Sequence, residues 1–466
     1  MTKSKTSRAR KLFGTDGIRG LANSGSMSPE IAFRLGMAVT YKIRRGHQRA
    51  PRIVVGKDTR LSGYLFESAL ASGICAMGGK VLLSGPLPTP AIAHLTSSMR
   101  ADAGFVISAS HNPFEDNGIK IFGADGFKLA DELELELEEL IESDLLDRDR
   151  PIELEIGRAE RLDDAPGRYI SAVKNSFPSK LSLEGLRVVV DAANGAAYRT
   201  APLVFSELGA EVIAIGNAPD GRNINAGCGA LHPEHAAAKI LEHGADIGIA
   251  LDGDADRLIV IDERGATIDP DANMALCAKK MIRERELKKR TLVATVMSNL
   301  GLEQAMLREG GKLLRCDVGD RYVVETMRKR GLNLGGEQSG HLIFLDHATT
   351  GDGLVGALQV MSVMVEEGRP ISELAKEALT RVPQILVNRS LPGRRPLDEM
   401  KKTGRAILAA EERLGQEGRV LVRWSGTETK LRVMIEGPSE SLIHELAHQI
   451  ADEAERELAE LVPLAL

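Results

Sequence analysis

Aromatic residues are scarce in this 466-residue chain: 3% in all, with a single tryptophan. That leaves little surface for stacking nucleobases. An excess of positive charge is also missing. The net charge is −6 and the basic residues are dispersed, which argues against a nucleic-acid-binding face. The four cysteines, Cys75, Cys228, Cys277 and Cys316, lie far apart and form no C-x-x-C pair. They read as reduced thiols of a cytoplasmic protein. No apolar run reaches the roughly 18 residues of a membrane span. The basic start "MTKSKTSRARK" lacks the apolar stretch of a signal peptide and reads as a loose tail.

Apolar residues are present at 43%, enough for the three or four domains expected at about 100–200 residues each. A pattern occurs three times. Short β-branched runs at 52–60 (RIVVGKDTR), 187–195 (RVVVDAANG) and 291–299 (TLVATVMSN) read as buried strands. A helix-like segment follows each, then a second strand at 80–85, 210–216 and 312–319. A further helix leads to a third strand, "ADAGFVIS", "ADIGIALD" or "LNLGGEQS". A β-α-β-α-β unit used three times implies open, largely parallel sheets. Ligands of such sheets bind beyond the carboxyl ends of strands, so one cleft could receive all three third loops. The acid-rich stretch 131–164 reads as a joint containing a solvated helix, and 383–397 as a joint to a fourth unit. That unit has two strands around a polar turn and a closing helix at about 439–462.

The third loops carry the chemistry. Asp252, Asp254 and Asp256 alternate in "DGDADR", so an extended chain presents three carboxylates on one side. All-oxygen ligands suit Mg²⁺. An EF-hand register also fits these acids, but Arg257 stands where that loop needs glycine, and the flanks read as strands. In "FVISASHNPFEDNGIK", Ser110 and His111 are adjacent; on extended backbone their side chains point apart, which disfavours a Ser–His nucleophile pair. Beside a cation, Ser110 reads instead as a phosphate carrier. In "GGEQSGH", Glu337 and Ser339 point the same way and suit neighbouring sugar hydroxyls. In "RWSGTETKLR", Ser425, Gly426 and Thr427 with Arg423 and Arg432 suit a phosphate monoester. The zinc-protease pattern in "HELAH" is set aside, because His444 and His448 lie opposite the apolar face of the last helix.

The segments "FGTDGIRG", "GKDTR", "ISASHNPFEDNGIKIF", "DGDADR", "GEQSGH" and "RWSGTETKLRVMIEG" resemble, in this order, the α-D-phosphohexomutases. Gln338 and "NINAGCGALHPE" resemble the branch that acts on glucosamine phosphate, with the phosphomannomutase/phosphoglucomutase branch as the alternative. The resemblance implies four domains around a central cleft. The expected fold is α/β: three related α/β domains with mixed, largely parallel sheets (1–155, 156–264, 265–382) plus a smaller α+β C-terminal domain (383–466). It implies an enzyme that interconverts glucosamine 6-phosphate and glucosamine 1-phosphate through a phosphoserine and a 1,6-bisphosphate, feeding UDP-N-acetylglucosamine synthesis. Ser110 would be the phosphoserine and a ligand of one Mg²⁺ with the three aspartates. Lys120 and His341 would be acid/base groups, and Arg19 would neutralise the phosphoserine. Arg257, Glu337, Ser339, Arg423, Ser425, Gly426, Thr427 and Arg432 would bind substrate. Glucosamine or glucose 1,6-bisphosphate would be the activator, and a homodimer the assembly. A Mg²⁺-dependent sugar phosphatase and a non-catalytic sugar-phosphate sensor are the rival readings.

Overall fold

A computed structural model of the chain describes residues 10–14, 16–46, 49–425 and 429–461. The first sheet contains β1 (Ile18–Leu21), β2 (Arg52–Lys57), β3 (Lys80–Pro86), β4 (Ala103–Ile107), β5 (Asp116–Gly123) and β6 (Arg158–Arg161), in the order β1-β5-β4-β2-β3-β6. The second contains β7 (Arg187–Asp191), β8 (Glu211–Ile215), β9 (Ile247–Leu251) and β10 (Leu258–Asp262), ordered β10-β9-β7-β8. The third contains β11 (Thr291–Thr295), β12 (Lys312–Cys316), β13 (Leu334–Gly336) and β14 (Leu342–Phe344), ordered β12-β11-β13-β14.

The threefold pattern is thus a threefold topology. In every repeat the first strand is central, the second pairs parallel on one flank and the third parallel on the other. A fourth strand then returns antiparallel to the third. Central strands such as Ile53-Val54-Val55 are buried on both faces, which explains their continuous β-branched character. The three loops rich in functional residues are the same hairpin in each repeat, the turn from third to fourth strand.

Two features differ from the sequence reading. β6 pairs parallel with β3, so the first sheet reaches past residue 155, where the boundary was placed. The acid-rich joint is not simply solvated. Its helix Asp131–Glu142 buries Leu137 and Ile141, and two of its acids, Glu134 and Glu138, are buried as well. Periodicity could not show this, because those carboxylates are matched by partners more than a hundred residues away.

One apolar core runs through the three repeats: Val54, Ile92 and Phe122, then Val188 and Val204, then Leu292 and Leu358. A second core lies on the other face of the first sheet. The fourth unit has its own. An antiparallel sheet of β15 (Gln384–Ser390), β16 (Arg419–Trp424) and β17 (Lys430–Glu436), ordered β15-β17-β16, packs on the helices Lys401–Leu414 and Glu440–Leu461. Its apolar residues, including Val433, Ile443 and Leu458, cluster only with one another. His444 and His448 are exposed on the outer face of the last helix, away from that core. Among the described residues, no helix is long and apolar enough to cross a membrane.

Within the shared core, the Tyr169 hydroxyl donates to both carboxylate oxygens of Asp352, at 3.0 and 2.9 Å. Asp352 also caps the helix Gly353–Glu367 by accepting from the Leu354 and Val355 N–H groups. Burial pushes its carboxyl up to about 6, against the pull of these donors. A carboxyl raised in the folded state is stabilising only while protonated, and that contribution is lost as pH rises through about 4 to 6. Tyr169→Phe removes a donor that favours the charged form. The variant should lose about 1–3 kcal/mol at pH 7.5 and distinctly less at pH 5. Thermal unfolding at both pH values checks this; an equal loss at both would show that the carboxylate is not the partner that matters.

Candidate active site

Ser110 ends the serine loop in the left-handed region, with φ +53°. A non-glycine residue holds that conformation only when its surroundings impose it. Arg60 does so. Its guanidinium is fully buried and donates to the carbonyls of Ser110 (2.9 Å), Asn112 (2.8 Å), Asp116 (3.1 Å) and Pro113. Asp58 accepts from Arg60 Nε at 2.8 Å and from Ser108 Oγ at 2.6 Å, and Ser108 Oγ accepts from the Ser110 N–H. From the second repeat, Asn225 Nδ2 donates to the Ser110 carbonyl at 2.9 Å. The left-handed turn also overturns the expectation that Ser110 and His111 point apart: His111 Nδ1 lies 3.2 Å from Ser110 Oγ. Burial, then Arg257 and Arg19, lower the His111 pKa to about 4, so the ring is neutral.

Ser110 Oγ donates to Asp252 Oδ2 at 2.5 Å. The serine loop and the aspartate loop therefore touch. The aspartate loop is curled, not extended, and turns at Ala255 with φ +58°. One carboxylate oxygen from each of Asp252, Asp254 and Asp256 still lies within 4.8 Å of the others, and all three residues are buried. Burial, then the charges of Asp256 and Asp254, raise the Asp252 carboxyl to about 7. Three crowded carboxylates favour a cation. Asp254 Oδ1 is buried without a hydrogen-bond partner. All-oxygen donors with a free buried oxygen fit a hard divalent ion.

Lys120, on β5, reaches the same loop. Its Nζ lies 2.9 Å from Asp254, 3.1 Å from Asp256 and 3.3 Å from Asp16. Thr89 donates its N–H to the Asp254 carbonyl and its hydroxyl to Asp254 Oδ2 at 2.6 Å. His341, from the third repeat, sits between Asp256 (3.2 Å) and Glu337 (2.8 Å). Burial lowers its pKa, but Asp256 and Glu337 outweigh this and raise it to about 10. Ser339 Oγ lies 3.3 Å from Glu337 Oε2, as the alternation predicts, and Glu337 also accepts from the Gly319 N–H at 2.8 Å.

These loops line a cleft of about 570 Å³ together with Asp16, Arg19, Arg257 and Asp320. Arg19 pairs with Asp16, and the Nε atoms of Arg19 and Arg257 are buried without partners. Lys128 bridges Asp16 and Asp320 across the first and third repeats. The segment Lys11–Gly14 forms one wall, because Glu138 accepts the N–H groups of Lys11, Leu12 and Phe13. Sequence reasoning missed Asp16, Lys128, Asp320, Thr89, Asn225, Asp58, Arg60 and Glu138. Asp16, Asp58, Arg60 and Asn225 carried a signal, since they lie in the quoted segments "FGTDGIRG", "GKDTR" and "NINAGCGALHPE".

Among the described residues of the fourth unit, none lines this cleft. Arg423 and Arg432 are directly opposite each other on β16 and β17. Like charges in that register repel, and burial, then Arg432, lower the Arg423 pKa. Arg432 donates to Ser425 Oγ at 3.4 Å, and its Nε is buried without a partner. Two facing guanidinium groups with an unpartnered buried Nε suit an anion. None of Arg423, Ser425 and Arg432 lines the cleft, and Gly426 and Thr427 lie outside the described residues.

A serine, a triple-carboxylate loop and a Glu–Ser–His loop in one cleft suit phosphoryl transfer on a sugar. Models of the phosphoglucomutase/phosphomannomutase alpha/beta/alpha domains I, II and III match residues 10–147, 167–265 and 269–382, and that of the C-terminal domain matches 386–453. The chain belongs to this family, the α-D-phosphohexomutases, which are intramolecular phosphotransferases. It is 60% identical over 455 residues to the phosphoglucosamine mutase of Sorangium cellulosum, covering 98% of this chain and 95% of that one. It is 56% identical over 459 residues to that of Myxococcus xanthus, covering 98% and 100%. A phosphoglucomutase/phosphomannomutase family protein of Burkholderia thailandensis superposes with a TM-score of 0.80 at 26% identity, covering 98% of each chain. The N-acetylphosphoglucosamine mutase of Aspergillus fumigatus, solved with GlcNAc-6P and magnesium, shares the fold with a TM-score of 0.65 at 17% identity, over 96% of each chain.

The two loops meet at a glycine. A Cβ on Gly253 would stand 2.5 Å from the Ser110 carbonyl oxygen. Gly253→Ala should therefore push the serine away from the aspartates. It should cut kcat about 10²-fold while the protein stays folded. Steady-state rates alongside circular dichroism check this; wild-type kcat would show that the close approach is not needed.

Proposed function

We propose that this chain interconverts glucosamine 6-phosphate and glucosamine 1-phosphate, with Ser110 carrying the transferred phosphoryl group. The observation that carries the reading is the 2.5 Å contact of Ser110 Oγ with the buried aspartate triplet. Relatives at 56–60% identity that bear the name phosphoglucosamine mutase support the amino-sugar substrate over glucose or mannose phosphates.

Asp252, Asp254 and Asp256 would hold Mg²⁺, with Ser110 as a further oxygen ligand. When bound, the ion supplies positive charge against the phosphoryl oxygens. The sugar enters with its phosphate toward Arg423, Ser425, Gly426, Thr427 and Arg432, and a free hydroxyl toward Ser110. Glu337 and Ser339 hold the ring hydroxyls. The P–Oγ bond of phosphoserine breaks as a bond forms from phosphorus to the sugar oxygen, in line. Lys120 and His341, the two acid/base candidates beside the triplet, are held protonated by the surrounding carboxylates, so one of them would first give its proton to the departing Oγ and, once neutral, take the proton of the attacking hydroxyl. Arg19 and Arg257 neutralise the phosphoserine. The resulting 1,6-bisphosphate reorients, and its other phosphate returns to Oγ. A 1,6-bisphosphate of glucosamine or glucose would also charge an unphosphorylated Ser110, acting as activator. The fourth unit has its own core and none of its described residues lines the cleft, which supports a closing motion that brings Arg423 and Arg432 over the sugar.

Ser110→Ala should form no phosphoenzyme with glucose 1,6-bisphosphate and lose at least about 10³-fold in isomerisation. Chelation of Mg²⁺ should abolish wild-type turnover, and its return should restore it. Arg432→Ala should raise KM for the sugar phosphate about tenfold while Ser110 is still phosphorylated by the bisphosphate. Mass spectrometry of the Ser110 peptide and a coupled assay read these out. Isomerisation retained in Ser110→Ala, or release of free phosphate as the main product, would overturn the proposal.

A further inference from the structure

A second cavity, of about 310 Å³, lies between the first two repeats. It sits beyond the carboxyl ends of the parallel strands β2, β3 and β6, marked by Lys57, Pro86 and Arg161. This is the edge at which open α/β sheets receive ligands. Its volume is at the lower end of the roughly 300–1,000 Å³ range of small-molecule sites.

The lining combines rings and unpaired charge. Tyr64 and Tyr198 supply aromatic surface. Lys57 is committed already: its Nζ lies 2.5 Å from Glu67 and 3.7 Å from the Tyr64 ring centroid. Arg199 lies over Tyr198 at 5.1 Å, and neither Arg199 nor Arg161 has a carboxylate partner among the described residues. Asp163 is the one acid lining the cavity that opposes them, because Glu67 is paired with Lys57. Thr200 lines the same cavity. The residue is 1% exposed and its Oγ1 has no partner within the protein. A buried hydroxyl without a hydrogen bond is costly. A phosphate oxygen would satisfy it and both guanidinium groups.

We propose that this cavity binds a small phosphate monoester carrying a planar ring, of nucleoside-monophosphate size, and that binding is coupled to the catalytic loops. The coupling path is short. Lys57 is followed by Asp58, which holds Arg60 and Ser108 behind Ser110. Leu87 donates its N–H to the Lys57 carbonyl, and Thr89, two residues on, donates twice to Asp254. Thr59 Oγ1 donates at 2.5 Å to the Asn194 carbonyl of the second repeat. A ligand that draws the two walls together therefore pulls on the serine loop and the aspartate loop at once.

The probes are UMP and AMP, with uridine and inorganic phosphate as controls, titrated calorimetrically into full-length protein carrying Arg432→Ala. That background weakens the phosphate grip of the fourth unit, so nucleotide held there is separated from nucleotide held in the second cavity. The nucleotides should bind one site per chain, at least about tenfold tighter than either control. Adding Arg161→Ala with Arg199→Ala should weaken them about tenfold without moving the thermal midpoint, and Thr200→Val alone should weaken them about tenfold while raising the midpoint of the ligand-free protein. In otherwise unsubstituted enzyme, saturating nucleotide should shift the Mg²⁺ concentration for half-maximal rate, and the arginine double variant should abolish the shift. No nucleotide binding, phosphate binding as tightly as nucleotide, or a Mg²⁺ shift that survives the arginine changes would overturn the proposal.

Discussion

The constraint on which the rest depends is buried negative charge. Asp252, Asp254, Asp256, Asp16 and Asp320 are drawn into one region and largely removed from water. Isolated, such carboxylates would cost several kcal/mol each to bury and would protonate instead. They remain anionic where cations meet them. Burial works against the Asp16 and Asp256 carboxyls, yet Lys120 and its neighbours hold both well below their ordinary range. Asp252 faces no such lysine, and burial with its two neighbouring aspartates leaves it raised to about 7. A divalent ion on this side would correct the imbalance that the protein's own cations leave. The polar framework around the triplet, from Lys120 to Lys128 to His341, is therefore part of the fold's electrostatic closure and also poised for chemistry.

Bringing these groups together is a topological achievement before it is an electrostatic one. Each repeat delivers its chemistry on the same hairpin, so one arrangement of three sheets lets all three turns face a common space. The continuous core from Val54 through Val188 to Leu292 fixes that arrangement. Packed interiors deform little, so the relative positions of Ser110, Asp252 and His341 are as rigid as a domain core. Contacts such as Ser110 to Asp252 and Asn225 to the Ser110 carbonyl can then be made across repeats without a large entropic cost at each turnover.

Much of this could be read from residues alone, and the exceptions share a cause. Strand runs are local, so periodicity found the first three strands of each repeat, while β1, β6 and the returning strands β5 and β14 went unread. The aspartate triplet is local in sequence, and so are Glu337 with Ser339. What stayed hidden depends on partners far along the chain. The left-handed turn at Ser110 is imposed by Arg60, fifty residues earlier, and by Asn225 in another repeat. An alternation argument for Ser110 and His111 assumed extended backbone, and the turn reversed it. Glu138 looked like one more acid on a solvated helix until its N–H donors at Lys11 to Phe13 closed the cleft wall.

The fourth unit is attached by different physics. Among the described residues, no apolar cluster joins it to the others. Its anchor is polar: Glu436, fully buried, accepts from Asn299 at 3.0 Å and from Arg419 at 2.7 Å. Arg419 in turn donates to the carbonyls of Val296 and Ser298, both at 2.9 Å. Hydrogen bonds and charge pairs of this kind fix a pivot but do not bury the broad apolar surface that would lock an orientation. A unit held this way can rotate about its anchor at small cost, as inter-domain contacts commonly allow. In a closing motion the facing arginines Arg423 and Arg432 would set the direction. An anion between them would relieve their mutual repulsion. An anion tethered to a sugar at the serine and aspartate loops would draw the unit over the cleft and exclude the water that would otherwise hydrolyse a phosphoserine.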